Sequence, residues 1–373
     1  MTPIDVATLP PMDVADRLPG LRAGLAEAGC EAVLVTNLAN VRYLTGFNGS
    51  AALLLVLPDE LVLATDGRYQ FQSAEQLATA GVEAHFVIGN LAAQREGLAQ
   101  AAAGIARLGL EAASVTWARQ RAFDAEWFPT ADLVPTEGLV ESLRRVKDEG
   151  EVARMAAAAQ VADQALAAVR PLLAGRATEL EIAVALDFEM RRGGASGSSF
   201  DTIVASGPNG AKPHARPSAR RVEEGELVVL DFGAVVDGYC SDMTRTVSAG
   251  PPRSETLARM VEVVAESQRA GVAAVRAGVA AADVDRVCRD VIAAAGWGDA
   301  FVHSTGHGVG LDIHEAPTVS ATSGDTLAAG QVVTVEPGVY LPEHGGVRIE
   351  DTVVVTDTGC RPLTLAPKDL VIA

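Results

Sequence analysis

The chain predicts an α+β protein built as two domains, and three observations predict it. Its 373 residues exceed what one hydrophobic core usually organises. Through the first part of the chain, short apolar strands alternate with Ala/Leu-rich helical stretches, the pattern of an α/β module. Past the charged cluster Arg144-Arg-Val-Lys-Asp-Glu-Gly-Glu151, long helical patterns are followed by strands joined through turn residues. We therefore expect an N-terminal α/β domain over residues 1–145 and a second, α+β domain over 146–373.

In chain order, Ala51-Ala-Leu-Leu-Leu-Val-Leu57 and Leu61-Val-Leu-Ala64 are apolar strands joined by a Pro-Asp-Glu turn. The charged cluster at the boundary opens an amphipathic helix that runs to Ala168, and further helices are expected over 254–277 and 282–295. Gly193-Gly-Ala-Ser-Gly197 and Ser206-Gly-Pro-Asn-Gly210 lack the form of a phosphate-binding loop and are expected to be turns that shape a pocket. Leu227-Val-Val-Leu-Asp231-Phe-Gly233 is a buried strand that runs into an acid, and Val236-Asp237-Gly238-Tyr239 is a hairpin turn. With Asp237-Gly238 as the loop, Asp242 faces Gly233, so Asp231 and Asp242 share a face as diagonal neighbours. A solvated surface hairpin would suit Asp237; it does not suit an acid on an apolar strand, which costs several kcal/mol, roughly, unless paired or metal-bound.

Val332-Val-Thr-Val-Glu336-Pro-Gly338 repeats the strand, acid, glycine order, and Arg348-Ile-Glu350-Asp-Thr-Val resumes a strand after a turn at 342–346. Period-2 spacing pairs Thr334 with Glu336 on one face and Arg348 with Glu350 on another, so Thr334 can orient a carboxylate and Arg348 can pair with one. Of six histidines, His214, His303, His307 and His314 stand in motif-like stretches of the second half, whereas His85 and His344 are expected to be ordinary surface or satisfied core residues. Asp231, Asp242, His307, Glu336 and Glu350 thus form an oxygen-rich set with one imidazole. Four carboxylates balance two divalent cations in charge and repel one another without them; such a set favours Mn, Co, Zn or Fe.

Composition narrows the partners. A net charge of −18 argues against nucleic-acid or anionic-membrane binding, because binding to phosphates rests on Lys and Arg. Four separated cysteines without C-x-x-C spacing indicate neither a disulfide frame nor a zinc knot, and Cys240 is expected to pack rather than react. Without a signal-peptide pattern or an apolar run of membrane-spanning length, the expected location is the cytoplasm.

Pro213-His214, Asp231, Asp242, Gly-His307-Gly-Val-Gly, His314-Glu-Ala-Pro317, Val-Glu336-Pro-Gly and Gly-Val-Arg348-Ile-Glu350-Asp together resemble the pita-bread metallopeptidases over roughly residues 196–352. The subgroup they resemble is the proline-specific one, Xaa-Pro dipeptidase (prolidase) and Xaa-Pro aminopeptidase (aminopeptidase P). Asn40-Val-Arg-Tyr-Leu-Thr-Gly46-Phe and Thr65-Asp-Gly-Arg68-Tyr69 are similar to that subgroup's N-terminal domain.

The resemblance implies a pita-bread catalytic domain behind a creatinase/prolidase-type domain. It also implies two divalent metal ions, Mn first and Co or Zn next, held by Asp231, Asp242, His307, Glu336 and Glu350. A water activated between the ions would attack the carbonyl before proline, with Glu336 moving its proton and His314 steadying the oxyanion. By the same resemblance His214 and His303 contact substrate or water, Phe200 lines the proline pocket, and Ile313 forms another wall.

One departure is visible: Thr318 stands where many prolidases carry an arginine for the dipeptide's carboxylate. Arg348, Arg42 or Arg68 would have to replace it, or longer peptides are accepted. The expectation leads with a dipeptidase acting on short proline-containing peptides, with aminopeptidase P as the alternative. A methionine aminopeptidase and a non-catalytic metal-binding protein on the same fold stand further back. A homodimer is implied by the resemblance alone.

Overall fold

The computed structural model describes residues 3–369, 371 and 372. The chain divides into two compact units, one of Met12–Arg144 and one that begins at Arg145 and also takes in the segment ending at Pro11. That N-terminal segment was expected in the first unit. It packs with the second because Ile4, Val6 and Leu9 lie against that unit's hydrophobic core, and the Ile4 N–H donates to the Gly193 carbonyl at 3.0 Å.

The smaller unit is built on a six-stranded mixed sheet. From edge to edge it runs His85–Ile88, Leu61–Thr65, Leu53–Val56, Ala32–Val35, Arg107–Glu111 and Asp132–Thr136. The expected strands near 51–57 and 61–64 are an antiparallel pair within it, turning between Val56 and Leu61. Leu34, Leu55 and Leu108 fill one face with Leu98 and Phe123 from flanking helices.

The larger unit holds two cores of similar plan. In the first, helices Glu149–Ala174 and Glu179–Arg192 cover the strands Ile203–Ser206, Leu227–Phe232 and Met243–Ala249. In the second, helices Glu255–Ala274 and Ala281–Ala294 cover Val332–Val335 and Asp351–Val355, which sit in a five-stranded sheet. Each core therefore contributes one acid-bearing antiparallel pair.

The helix starts have local causes. The Asp148 carboxylate accepts the Glu151 N–H at 2.7 Å while Glu151 accepts the Asp148 N–H at 3.1 Å. Such a capping box stabilises a helix start by about 1 kcal/mol. This helix runs to Ala174, six residues beyond the expected end at Ala168. A second capping box, Thr178 with Glu181, starts the helix Glu179–Arg192, which no sequence expectation covered. The helices expected over 254–277 and 282–295 span Glu255–Ala274 and Ala281–Ala294.

Candidate metal centre and active site

The first acid pair is delivered by strand register. Val236 pairs with Tyr239 and Val235 with Cys240, leaving Asp237 and Gly238 as a two-residue loop with φ of 45° and 77°. Two positive φ values in a two-residue loop match the twist of the flanking strands. The same register continues into Met243 opposite Phe232 and Thr244 opposite Asp231. Asp242 therefore faces Gly233 and sits diagonal to Asp231, as expected. A Cβ at Gly233 would meet the Ser241 carbonyl oxygen at 1.9 Å, so only glycine permits this approach. Asp237 is not a solvated acid; it pairs with Arg154 at 2.7 Å.

The second pair forms where its sheet breaks. Val335 pairs with Asp351 on one side of the break and Gly338 with Arg348 on the other. Glu336 and Glu350 consequently occupy facing positions in the register. The break lets each backbone turn to a different neighbour, Glu336 N–H to the Thr305 carbonyl and Glu350 N–H to the Thr244 carbonyl.

His307 arrives on a third strand, Gly306–Gly308, wedged between Val332–Val335 and Glu315–Val319. At Gly306 a Cβ would strike the Thr334 carbonyl oxygen at 2.0 Å. The His307 Nδ1 lies 3.0 Å from the Gly308 carbonyl, so it carries the proton and leaves the Nε2 lone pair bare. Nε2 points into the acids, 3.5 Å from Asp242 and 3.4 Å from Glu336. Burial pushes the imidazole pKa down to about 4, which keeps it neutral and ready to ligate.

The acids themselves are crowded. Ligand oxygens of Asp231, Asp242 and Glu350 lie within 4.8 Å of one another. Burial, then the charges of neighbouring carboxylates, holds Asp242 and Glu350 well above the usual carboxylate range, and burial first pushes Glu336 up to about 8. One arginine offsets part of the charge. Arg348 donates to Asp231 at 2.5 Å, to the Thr244 hydroxyl at 3.1 Å and to the Tyr340 hydroxyl at 2.6 Å. Thr244 in turn donates to Glu350 at 2.7 Å, and Thr334 reaches Glu336 at 3.4 Å.

Within this cluster two carboxylate oxygens remain buried without a hydrogen-bond partner, Asp231 Oδ1 and Glu350 Oε1. Unpartnered buried carboxylate oxygens are costly and rare. A bare imidazole nitrogen and two orphaned oxygens converging on one place are the arrangement that divalent cations satisfy. The donor set fits the metal.

All eleven residues singled out from the sequence line one cavity of about 560 Å³: Asp231, Asp242, His307, Glu336 and Glu350 with Arg348 form its floor, and Phe200, His214, His303, Ile313 and His314 its walls and rim. His314 places its ring 4.3 Å from that of His307. His303 is less open than expected. Its Nδ1 donates to the Ser304 carbonyl at 2.8 Å and its Nε2 accepts the Tyr340 hydroxyl at 2.9 Å, so both nitrogens are engaged. The glycine-rich stretches at 193–197 and 206–210 do not line the cavity; they flank the segments that do.

The rim is held by residues that sequence reasoning missed. Buried Glu179 accepts from the backbone and hydroxyl of both Ser206 and Ser218, which brackets the segment carrying His214. Asp285 accepts from the Thr305 N–H and hydroxyl, while Arg289 donates to the Phe301 and His303 carbonyls. Lys147 meets Glu315, next to His314, at 2.6 Å with 1% and 8% of their side chains exposed. Tyr340 could have been found by alternation, since it falls two residues after Gly338 on a strand that begins beside Glu336. The three tethers carry no local pattern.

Comparison with known proteins agrees with this geometry. Residues 153–357 match the model of metallopeptidase family M24, and residues 17–146 match the creatinase/prolidase N-terminal domain. The chain is 42% identical to the uncharacterized peptidase YqhT of Bacillus subtilis (strain 168), over 95% of this chain and 99% of that one. Among solved structures, the Xaa-Pro dipeptidase from Bacillus anthracis superposes with a TM-score of 0.92 at 39% identity, covering 96% of this chain and 100% of that one. The X-Pro aminopeptidase from Thermotoga maritima MSB8 gives 0.85 at 35% identity, with 92% and 98% covered. A cluster built for divalent metal on two helix-backed strand pairs, in a chain that also carries a separate α/β unit, and these matches across nearly the whole chain lead to one conclusion: the protein belongs to metallopeptidase family M24 and carries the creatinase/prolidase N-terminal domain.

Proposed function

We propose that the protein hydrolyses the bond before proline in short peptides, acting first as an Xaa-Pro dipeptidase. The observation that carries the reading is a single cavity that joins a floor of five metal-type ligands to an apolar wall at Phe200 and Ile313. Relatives named Xaa-Pro dipeptidase and X-Pro aminopeptidase support it. A tertiary amide with no N–H and a fixed φ fits poorly in sites that expect an extended strand, and a shaped apolar pocket answers that need.

In this reading Asp231, Asp242, His307, Glu336 and Glu350 hold two divalent ions, Mn first, with Co or Zn as alternatives. When bound, the ions supply Lewis acidity and an activated water. The chain's residues do the rest. Glu336, at the junction of floor and wall, takes a proton on its carboxylate and returns it to the leaving proline nitrogen. His314 presents its ring beside His307 and donates to the oxygen on which charge develops. His214 and His303 border the substrate, the latter ordered through Tyr340. Arg348 fixes Asp231 and keeps the floor from repelling itself apart.

Aminopeptidase P activity on longer peptides is the second reading, favoured by Thr318, which lines the cavity without a positive charge. A homodimer and a cytoplasmic location complete the proposal. Among the described residues no cysteine is in a disulfide, which suits a reducing compartment, and no helix is long and apolar enough to cross a membrane.

The test is to strip the protein of metal, reload it with Mn, Co or Zn, and compare Ala-Pro and Leu-Pro with Xaa-Pro-Xaa peptides of three to five residues. Cleavage of dipeptides alone supports the leading reading. Release of the first residue from longer peptides moves the assignment to aminopeptidase P, and no proline-specific turnover with any metal refutes both.

A further inference from the structure

A dipeptide ending in proline carries a carboxylate on the ring's own Cα. Whatever pocket takes the ring must place that charge within about a ring's width of the wall. Among the described residues two arginines line the cavity, Arg348 and Arg216, and no lysine does. Arg348 is already committed: its guanidinium is bound to Asp231, Thr244 and Tyr340, and its side chain is 4% exposed. Arg68, in the smaller unit, is closed on Asp66 through two nitrogens at 2.9 and 2.8 Å.

Arg216 differs from both. Its side chain is 90% exposed, and its guanidinium lies 3.9 Å from the carboxylate of Asp201, itself 91% exposed. A pair that long and that solvated contributes little and yields readily to a better partner. The base of the side chain is nevertheless well fixed. Pro213 and Pro217 stiffen the segment on either side, and Ser218 ties it to buried Glu179 through both its N–H and its hydroxyl, at 3.0 and 2.6 Å. On the facing segment Thr202 is held by Asp187 at 2.6 Å. Phe200, Asp201 and Arg216 line the same cavity, so the guanidinium belongs to the space that also holds the wall assigned to the proline ring.

We propose that Arg216 binds the C-terminal carboxylate of the Xaa-Pro substrate, exchanging Asp201 for it, and so sets the preference for dipeptides over longer or capped peptides. This rests on the proline-specific reading above. A guanidinium presents a planar fork that matches a carboxylate in a way an ammonium does not. Asp201 then has a role as well: it holds the empty arginine at the mouth and disfavours bound anions until the substrate's carboxylate replaces it.

The experiment compares Ala-Pro with Ala-prolinamide, which differ in that one charge, on the metal-loaded parent, Arg216→Gln, Arg216→Lys and Asp201→Asn. The quantity read is the acid-over-amide ratio of kcat/KM. A hydrogen-bonded charge contact of this kind is worth roughly ten- to hundredfold. Arg216→Gln should lower the ratio by about tenfold or more, with the change carried by KM for the acid; Arg216→Lys should recover part of it, and Asp201→Asn should raise it. A ratio in Arg216→Gln equal to that of the parent, or equal losses on acid and amide, overturns the assignment while leaving the peptidase reading intact. If the parent cleaves neither compound, the dipeptidase reading fails and this assignment fails with it, whether or not longer Xaa-Pro peptides are cleaved.

Discussion

The floor and the rim of the cavity are built by different means. The floor is delivered by strands whose register is set within a few residues of each acid, by the Asp237-Gly238 turn in one half and by the break after Val335 in the other. The rim consists of histidines on irregular segments, each fastened by a buried ionic group that comes from elsewhere in the chain. The difference separates two tasks. Binding cations needs donors fixed to within fractions of an ångström, which a hydrogen-bonded ladder provides; handling a substrate needs groups that face an opening, which loops provide if something holds them.

That division predicts a graded series of effects. The largest belongs to the floor. Asp242→Ala should remove metal-dependent turnover altogether, with a fall in metal affinity beyond the ten- to hundredfold typical of outer partners. It should leave a folded protein by circular dichroism, since a buried repelled acid stabilises nothing in the metal-free state. Unchanged activity would take this residue out of the site.

A rim tether comes next. Lys147→Met leaves Glu315 buried without its cation, and breaking one side of such a pair costs roughly 3–5 kcal/mol. Urea unfolding should show that loss, and Glu315→Gln in the same chain should recover part of it. A loss under about 1 kcal/mol would mean that the rim is held by something else.

A pH dependence follows from the floor. Burial raises Glu336 to about 8 and lifts Asp242 and Glu350 in the same direction, whereas an unfolded carboxyl titrates near about 4. Folded pKa values above the unfolded ones give stability that is present below about pH 4 and lost as pH rises toward 8. The melting temperature of chelated protein should therefore fall between pH 5 and 8. Metal-loaded protein should not follow it, because cations favour the ionised ligands. Parallel curves with and without metal would contradict the crowded-acid account.

The smallest effect is expected where floor meets rim. Tyr340→Phe removes the hydroxyl that accepts from Arg348 and donates to His303. Two lost hydrogen bonds of ordinary strength correspond to a drop in kcat/KM of roughly five- to thirtyfold with metal content retained.

The same division explains what could be read from the sequence. The acids were legible because each lies in a pattern a few residues long: an apolar run, an Asp-Gly turn, an acid two residues past an arginine. The helix Glu179–Arg192 carries its own start signal, Thr178-x-x-Glu181, but the glycines that follow it mask its far end with a turn pattern. The tethers were not legible. Glu179 reaches Ser218 across 39 residues, Asp285 reaches Thr305 across 20, and Lys147 reaches Glu315 across 168. Without the fold, each is one more charged residue on a helix or near its start. The segment ending at Pro11 was misassigned for the same reason, since its partners Gly193 and Arg154 lie far along the chain.

The most direct test measures metal binding and turnover side by side in His314→Ala and Asp242→Ala. Calorimetric titration of Mn into stripped protein gives the first quantity and Ala-Pro hydrolysis the second. The account predicts that His314→Ala binds metal like the parent and loses about a hundredfold or more in kcat, while Asp242→Ala loses both. Equal loss of metal binding and turnover in His314→Ala would contradict the separation of floor from rim.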